Sequence, residues 1–110
     1  MKKYETVIQD NIEKGLKKLQ FEEHMPIMFE RRIASSANYK KGSADFWMSL
    51  CGYHIEVEIK TETGKRSTLQ ETWERWCRAQ GAHYMLVRSF DDLLQQILNF
   101  MEVIQDAKGS

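Results

Sequence analysis

The chain has 110 residues, with 16 Lys or Arg set against 16 Asp or Glu and no net formal charge at neutral pH. That length supports one domain over 1–110 with a modest core, and the charge balance excludes a protein that coats nucleic acid through overall positive charge. No apolar run nears the ~20 residues of a bilayer span and the polar start Met1-Lys2-Lys3-Tyr4-Glu5 lacks a secretory apolar stretch, so the expectation is a soluble cytoplasmic protein without membrane contact.

Along 4–20, Ile8, Ile12, Leu16 and Leu19 recur at helical spacing among Lys and Glu, which predicts an amphipathic helix slightly weakened by Gly15. Pro26 bars helix continuation, and 27–33 has the length and composition of a strand. The polar stretch 34–43, with Ser35, Ser36, Asn38 and Gly42, reads as a loop and carries Lys40 and Lys41. Residues 46–50 and 53–60 are two apolar-rich runs around Cys51-Gly52, read as a tight hairpin. A helix begins at Ser67, with Gln70 at the N3 position of a capping box and Leu69, Trp73, Trp76 and Cys77 along one face expected to meet the sheet. Gly81 ends it. A short strand at 83–88 follows, and Ser89-Phe90-Asp91-Asp92 opens a last helix with an apolar stripe of Leu94, Ile97, Leu98, Met101 and Ile104.

The order helix, three strands, helix, strand, helix predicts an α/β (α+β) fold with a mixed sheet flanked by helices, since a βαβ crossover leaves its two strands parallel. Cys51 and Cys77 show no zinc-ligand spacing and are read as reduced core thiols. His24, His54 and His83 lack the mutual spacing of a metal site or dyad.

The chemistry concentrates between Asp45 and Gln70. Alternation along a strand places Glu56, Glu58 and Lys60 on one face and Ile55, Val57 and Ile59 on the other. Hairpin pairing lets Asp45 approach Glu58, which puts two anionic oxygen donors for a hard divalent cation beside an ammonium, the equipment of metal-assisted phosphodiester hydrolysis. The competing reading is a half-exposed strand with a solvated charged face, in which Glu56 pairs across strands with a basic residue. Gln70 is explained fully by the capping box, and Glu5 by the preference for acids in a first helical turn.

Gly42-Ser43-Ala44-Asp45, then Glu58-Ile59-Lys60-Thr61-Glu62-Thr63-Gly64-Lys65, then Ser67-x-x-Gln70, Gly81 and Ser89-Phe90-Asp91-Asp92 resemble the VRR-NUC (virus-type replication-repair nuclease) domain of the PD-(D/E)xK superfamily over nearly the whole chain. The resemblance implies a restriction-endonuclease-like αβββαβ core with an extra C-terminal helix. It implies Asp45, Glu58, the Ile59 backbone carbonyl and, on the first helix, Glu5 as ligands to Mg2+ or Mn2+. Lys60 becomes the catalytic lysine and Gln70 the helix glutamine near the site. Ala44 stands where the family often has proline, a residue that shapes the loop. The implied activity is metal-dependent DNA endonuclease action on branched substrates such as Holliday junctions or flaps, in replication, repair or recombination. Small stand-alone members resemble phage or mobile-element proteins that pair as homodimers, which implies a bacterial or phage-infected cell. Lys40, Lys41, Lys65 and Arg66 bracket the carboxylates and are candidate phosphate contacts. The alternatives are a non-catalytic nucleic-acid-binding module of the same fold, or a nuclease acting on RNA or simple duplex ends.

Overall fold

The computed structural model describes residues 3–34, 39–61 and 64–109, so Ser35, Ser36 and Asn38 of the expected loop and Glu62-Thr63 of the motif lie outside the described residues. Its elements run α1 (Lys3–Phe21), β1 (Ile27–Arg31), β2 (Phe46–Leu50), β3 (Tyr53–Ile59), α2 (Thr68–Ala79), β4 (His83–Val87) and α3 (Phe90–Gly109). This is the expected αβββαβ order with a further C-terminal helix. The four strands form one sheet in the order β1-β2-β3-β4, antiparallel except for the parallel pair β3·β4. Among the described residues, no helix is long and apolar enough to cross a membrane.

The β2–β3 hairpin closes from Leu50 to Tyr53, with Cys51 at φ +53° and Gly52 at φ +86°. Two positive φ values define the type I′ geometry whose twist matches that of the flanking strands. Cys51 therefore sits in a turn, half-buried against the edge of the core instead of inside it; both cysteines are free thiols.

Period-two alternation sorts the sheet into two faces. Ile27, Phe46, Met48, Leu50, Ile55, Val57, Ile59, Met85 and Val87 point to an apolar core closed by Ile12, Leu16 and Leu19 of α1 and Leu93 and Ile97 of α3. The α3 stripe holds in part: Ile97 is buried and Leu94 and Met101 pack against the core, but Leu93 is fully buried beside them and Leu98 is 44% exposed. Ser89 caps the helix, its Oγ accepting from Asp92 N at 3.1 Å and its O from Leu93 N at 3.0 Å.

The other face is polar. There α2 docks without one fully buried residue: of the face expected to meet the sheet, Trp73 and Cys77 are half-buried while Leu69 and Trp76 remain about half exposed. Ion pairs and a tryptophan N–H hold it instead.

Gly15 lies where α1 crosses α3: a Cβ built there would stand 2.3 Å from the Phe90 ring. The glycine that weakens α1 locally lets the two helices approach. Gly15→Ala should therefore lower thermal stability by about 1–3 kcal/mol through overpacking, despite a helix-propensity gain of ~1 kcal/mol. Thermal denaturation followed by circular dichroism checks the sign.

Candidate functional site

Continuing the register Phe46↔Val57 by one step sets Asp45 opposite Glu58, as hairpin pairing requires. Asp45 sits just before β2 and closes the end of β3: its Oδ2 accepts from Ile59 N at 2.7 Å, and its Oδ1 accepts from Gln9 Nε2 at 3.1 Å. The N–H and C=O of one strand residue leave by the same edge, so the Ile59 carbonyl faces the side on which Asp45 sits. The loop before Asp45 is pinned by Gly42, at φ +92° with its Cα against Leu69 of α2, where a Cβ would come within 2.6 Å of the Leu69 Cβ.

Burial pushes the Asp45 carboxyl above the ordinary carboxylate range; the bonds from Ile59 and Gln9 pull it down, while the nearby charges of Glu5 and Glu58 push it up again. Three carboxylates, from α1, the loop before β2, and β3, thus share one neighbourhood. Glu5, Gln9, Asp45 and Gln70 line a cavity of about 1020 Å³ that runs between α1 and β1 toward Arg31, Arg32 and Tyr39.

Glu56 and Glu58 are each only 1% exposed, which removes the solvated-face reading of β3. Each carboxylate has its own set of donors. Glu56 accepts a fork from Arg32 Nη1 and Nη2 at 2.5 and 3.0 Å, together with Trp73 Nε1 at 2.9 Å and a contact from His54 Nε2. These bonds hold Glu56 below the ordinary range although its burial acts the other way. The expected cross-strand partner of Glu56 is therefore Arg32, just beyond β1. Glu58 accepts Arg66 Nε and Nη2 at 3.0 Å each, and Tyr84 O–H at 2.6 Å. Burial, and then the bond to Glu58, push the Tyr84 phenol well above its usual value.

The remaining expected residues divide. Lys60 follows β3 half-buried, its backbone N–H donating to Val87 O at 2.8 Å, and its ammonium joins no ion pair among the described residues. Gln70 makes both arms of the capping box with Ser67 and also lines the cavity. Lys40, Lys41 and Lys65 are exposed. Lys40 Nζ lies 5.3 Å from the Trp76 ring centre and 5.9 Å from that of Trp73. Arg66, expected beside them as a phosphate contact, is instead tied to Glu58 and Glu74. Cys77 is half-buried under the same face, its thiol pushed up to about 11 by burial and the charge of Glu56.

Sequence reasoning gives no site role to Gln9 or Tyr84, reads Trp73 as a core residue and Arg32 as a basic residue flanking the site; all four supply donors to Asp45, Glu56 or Glu58. Gln9 carried one legible signal: it is polar at a position of α1 adjacent to its apolar stripe, and it is 6% exposed.

Among the described residues no group of three or more His, Cys, Asp or Glu side chains is arranged to hold a metal ion. Asp45 and Glu58 lie close enough for the charge of Glu58 to act on Asp45, and with the Ile59 carbonyl facing the side of Asp45 the donors present are hard oxygens. By chemistry they suit Mg2+ or Mn2+ and not a soft metal.

These elements define an α+β fold of the nuclease-like αβββαβ class. No protein-family model and no curated protein matches the sequence. A solved structure described as a VRR_NUC domain superposes with a TM-score of 0.58 at 23% identity, covering 86% of this chain and 94% of that one. The chain has the VRR-NUC fold.

Two expectations test the electrostatics. Asp45 has a raised folded pKa, so its contribution is complete below about 3.8 and is lost as pH rises through the folded value. Asp45→Asn should raise the metal-free melting temperature at pH 7 by a few degrees and leave it unchanged near pH 3. Glu56 has the opposite sign: its contribution is complete above about 4.5 and is lost on acidification through the lowered value. Arg32→Ala, which strands a buried carboxylate, should cost on the order of 3 kcal/mol at pH 7 in urea denaturation, with the deficit shrinking below pH 4.

Proposed function

We propose that this protein is a metal-dependent nuclease that hydrolyses phosphodiester bonds in DNA. The observation that carries the reading is the meeting of Asp45, Glu58 and Ile59 at one end of the β2–β3 hairpin, with Lys60 next in the chain, in a VRR-NUC fold. Asp45, Glu58 and the Ile59 carbonyl would hold Mg2+ or Mn2+, with Glu5 as a further carboxylate on α1. A bound divalent cation supplies Lewis-acid polarisation of the phosphate and a more acidic water.

The protein's own residues do the rest. Lys60 places an unpaired ammonium where negative charge grows on the phosphoryl oxygens, and as a compact charge it suits that role better than proton abstraction. Gln9 fixes the rotamer of Asp45 by donating to Oδ1. Gln70 stands at the cavity wall, within reach of a substrate that enters it. Lys40, Lys41 and Lys65 are exposed in the segments that flank Asp45 and Glu58 in sequence and would hold phosphates without reading bases.

Branched DNA and a homodimer belong to the same proposal. A two-fold pair presents two sites to two symmetric strands, and Leu98 and Val103, exposed on α3, offer apolar surface for pairing. One observation favours a second reading, a nucleic-acid-binding module without turnover: both oxygens of Glu58 are taken by Arg66 and Tyr84.

Labelled junctions, flaps, duplexes and single strands incubated with Mg2+, Mn2+ or EDTA separate the two. Nicking that requires the metal supports the nuclease, and tight binding without cleavage in either metal supports the module. Lys60→Ala should keep the fold and DNA affinity while cleavage falls by about two orders of magnitude or more, because the charge acts mainly in the transition state. Replacing Lys40 and Lys41 together by Ala should flatten the slope of log affinity against log salt by up to ~2 and leave cleavage at saturating protein nearly unchanged.

A further inference from the structure

Arg66 is divided between two carboxylates of different standing. Its Nε and Nη2 fork onto Glu58 at 3.0 Å each, while its Nη1 lies 2.7 Å from Glu74 Oε1 on α2. Glu74 is itself held by Arg78 Nε at 2.8 Å, and the two arginines keep its carboxyl below the ordinary range against its partial burial. The Arg66 side chain is 17% exposed and Glu58 is 2% exposed, so water screens the pair little. Arg66 also lies in the short segment leading into α2, outside regular secondary structure, where a side chain can change partner without moving the sheet. Tyr84 bonds only Oε1 of Glu58, whereas Arg66 covers both oxygens.

We propose that Arg66 is a latch on the metal site. In the metal-free protein it neutralises Glu58, and when a divalent cation takes that carboxylate, Arg66 withdraws onto Glu74. The inference rests on the reading of Asp45 and Glu58 as ligands and adds a competitor to it. The latch accounts for the burial of Glu58 next to Asp45, since the guanidinium supplies the positive charge that a bound cation would otherwise provide. It also sets affinity: a site open in only a fraction of molecules binds with its dissociation constant divided by that fraction.

The test is Mn2+ titration by calorimetry on the full chain without DNA, with the metal-induced shift in melting temperature as a second readout. If Arg66 occupies Glu58 in about nine of ten molecules, Arg66→Gln should tighten Mn2+ binding about tenfold and enlarge the thermal shift. Arg66→Lys keeps the charge but not the fork, and should tighten binding by an intermediate factor. Glu74→Gln removes the resting place, so it should weaken Mn2+ binding several-fold in the wild-type background and leave it unchanged beside Arg66→Gln.

Mn2+ bound equally tightly by wild type and Arg66→Gln overturns the latch and leaves the metal site standing. Tightening by Arg66→Gln with none by Arg66→Lys reduces Arg66 to a through-space charge and also overturns the latch. Mn2+ bound by neither protein overturns the ligand reading itself, and the latch with it. Where Arg66→Gln fails to fold, Arg66→Lys and Glu74→Gln decide: two affinities equal to wild type overturn the proposal.

Discussion

Two carboxylates buried on one face of a central strand are the constraint around which this molecule is arranged. Glu56 and Glu58 sit side by side on β3, with β2 and β4 on either hand and α2 above. An unpaired ion in such a place costs several kcal/mol, so each must be met by donors of fixed geometry. Arg32 comes from the end of β1, Trp73 from α2, Arg66 from the segment before α2, and Tyr84 from β4. Four separate parts of the chain converge because those two charges must be satisfied. A structure that lost α2 would take Trp73 from Glu56 and Glu74 from Arg66, the residue that covers Glu58.

This explains why α2 can be held without a fully buried side chain. Its attachment is directional, through Trp73 to Glu56 and through Glu74 to Arg66, and not through apolar area. Directional attachment fixes the register of the helix on the sheet more tightly than a greasy contact does, but it gives little stability, because ion pairs repay mostly their own desolvation. The apolar face carries the folding free energy, with α1 and α3 closed over Phe46, Met48, Ile55 and Val57. The two faces divide the labour: one supplies stability, and the other places charge.

Much of this was legible in the sequence. The helical repeat of α1, the hairpin around Cys51-Gly52, the capping box at Ser67 and Gln70, and the approach of Asp45 to Glu58 all depend on local spacing, and local spacing is what a sequence displays. The partners of the carboxylates were not legible. Arg32 lies 24 residues from Glu56 and Tyr84 lies 26 from Glu58, and nothing local marks either as a partner. Arg66 was misplaced for a related reason. Next to Lys65, outside any element, it reads as a solvated loop cation, and only its place in the crossover between β3 and α2 turns it toward Glu58 and Glu74. The apolar stripe of α2 misled in the other direction, since Leu69 and Trp76 look like core residues until the sheet face beneath them proves to be charged.

The same geometry also shows why structural and catalytic readings of these residues are hard to separate. Asp45 accepts from Ile59 N on Oδ2 and from Gln9 on Oδ1, a sufficient structural role, yet the charges of Glu5 and Glu58 leave the carboxyl with more negative surroundings than a cap needs. Glu56 is the useful contrast. It is as deeply buried as Glu58 and as fully bonded, and its hydrogen bonds from Arg32, Trp73 and His54 hold its carboxyl below the ordinary range against its burial. A purely structural carboxylate settles into the state of Glu56. Asp45, pushed toward its neutral form by burial first and then by the charges of Glu5 and Glu58, is stabilised by whatever brings positive charge to it, and that combination at the hairpin end is what sets the site apart from the rest of the polar face.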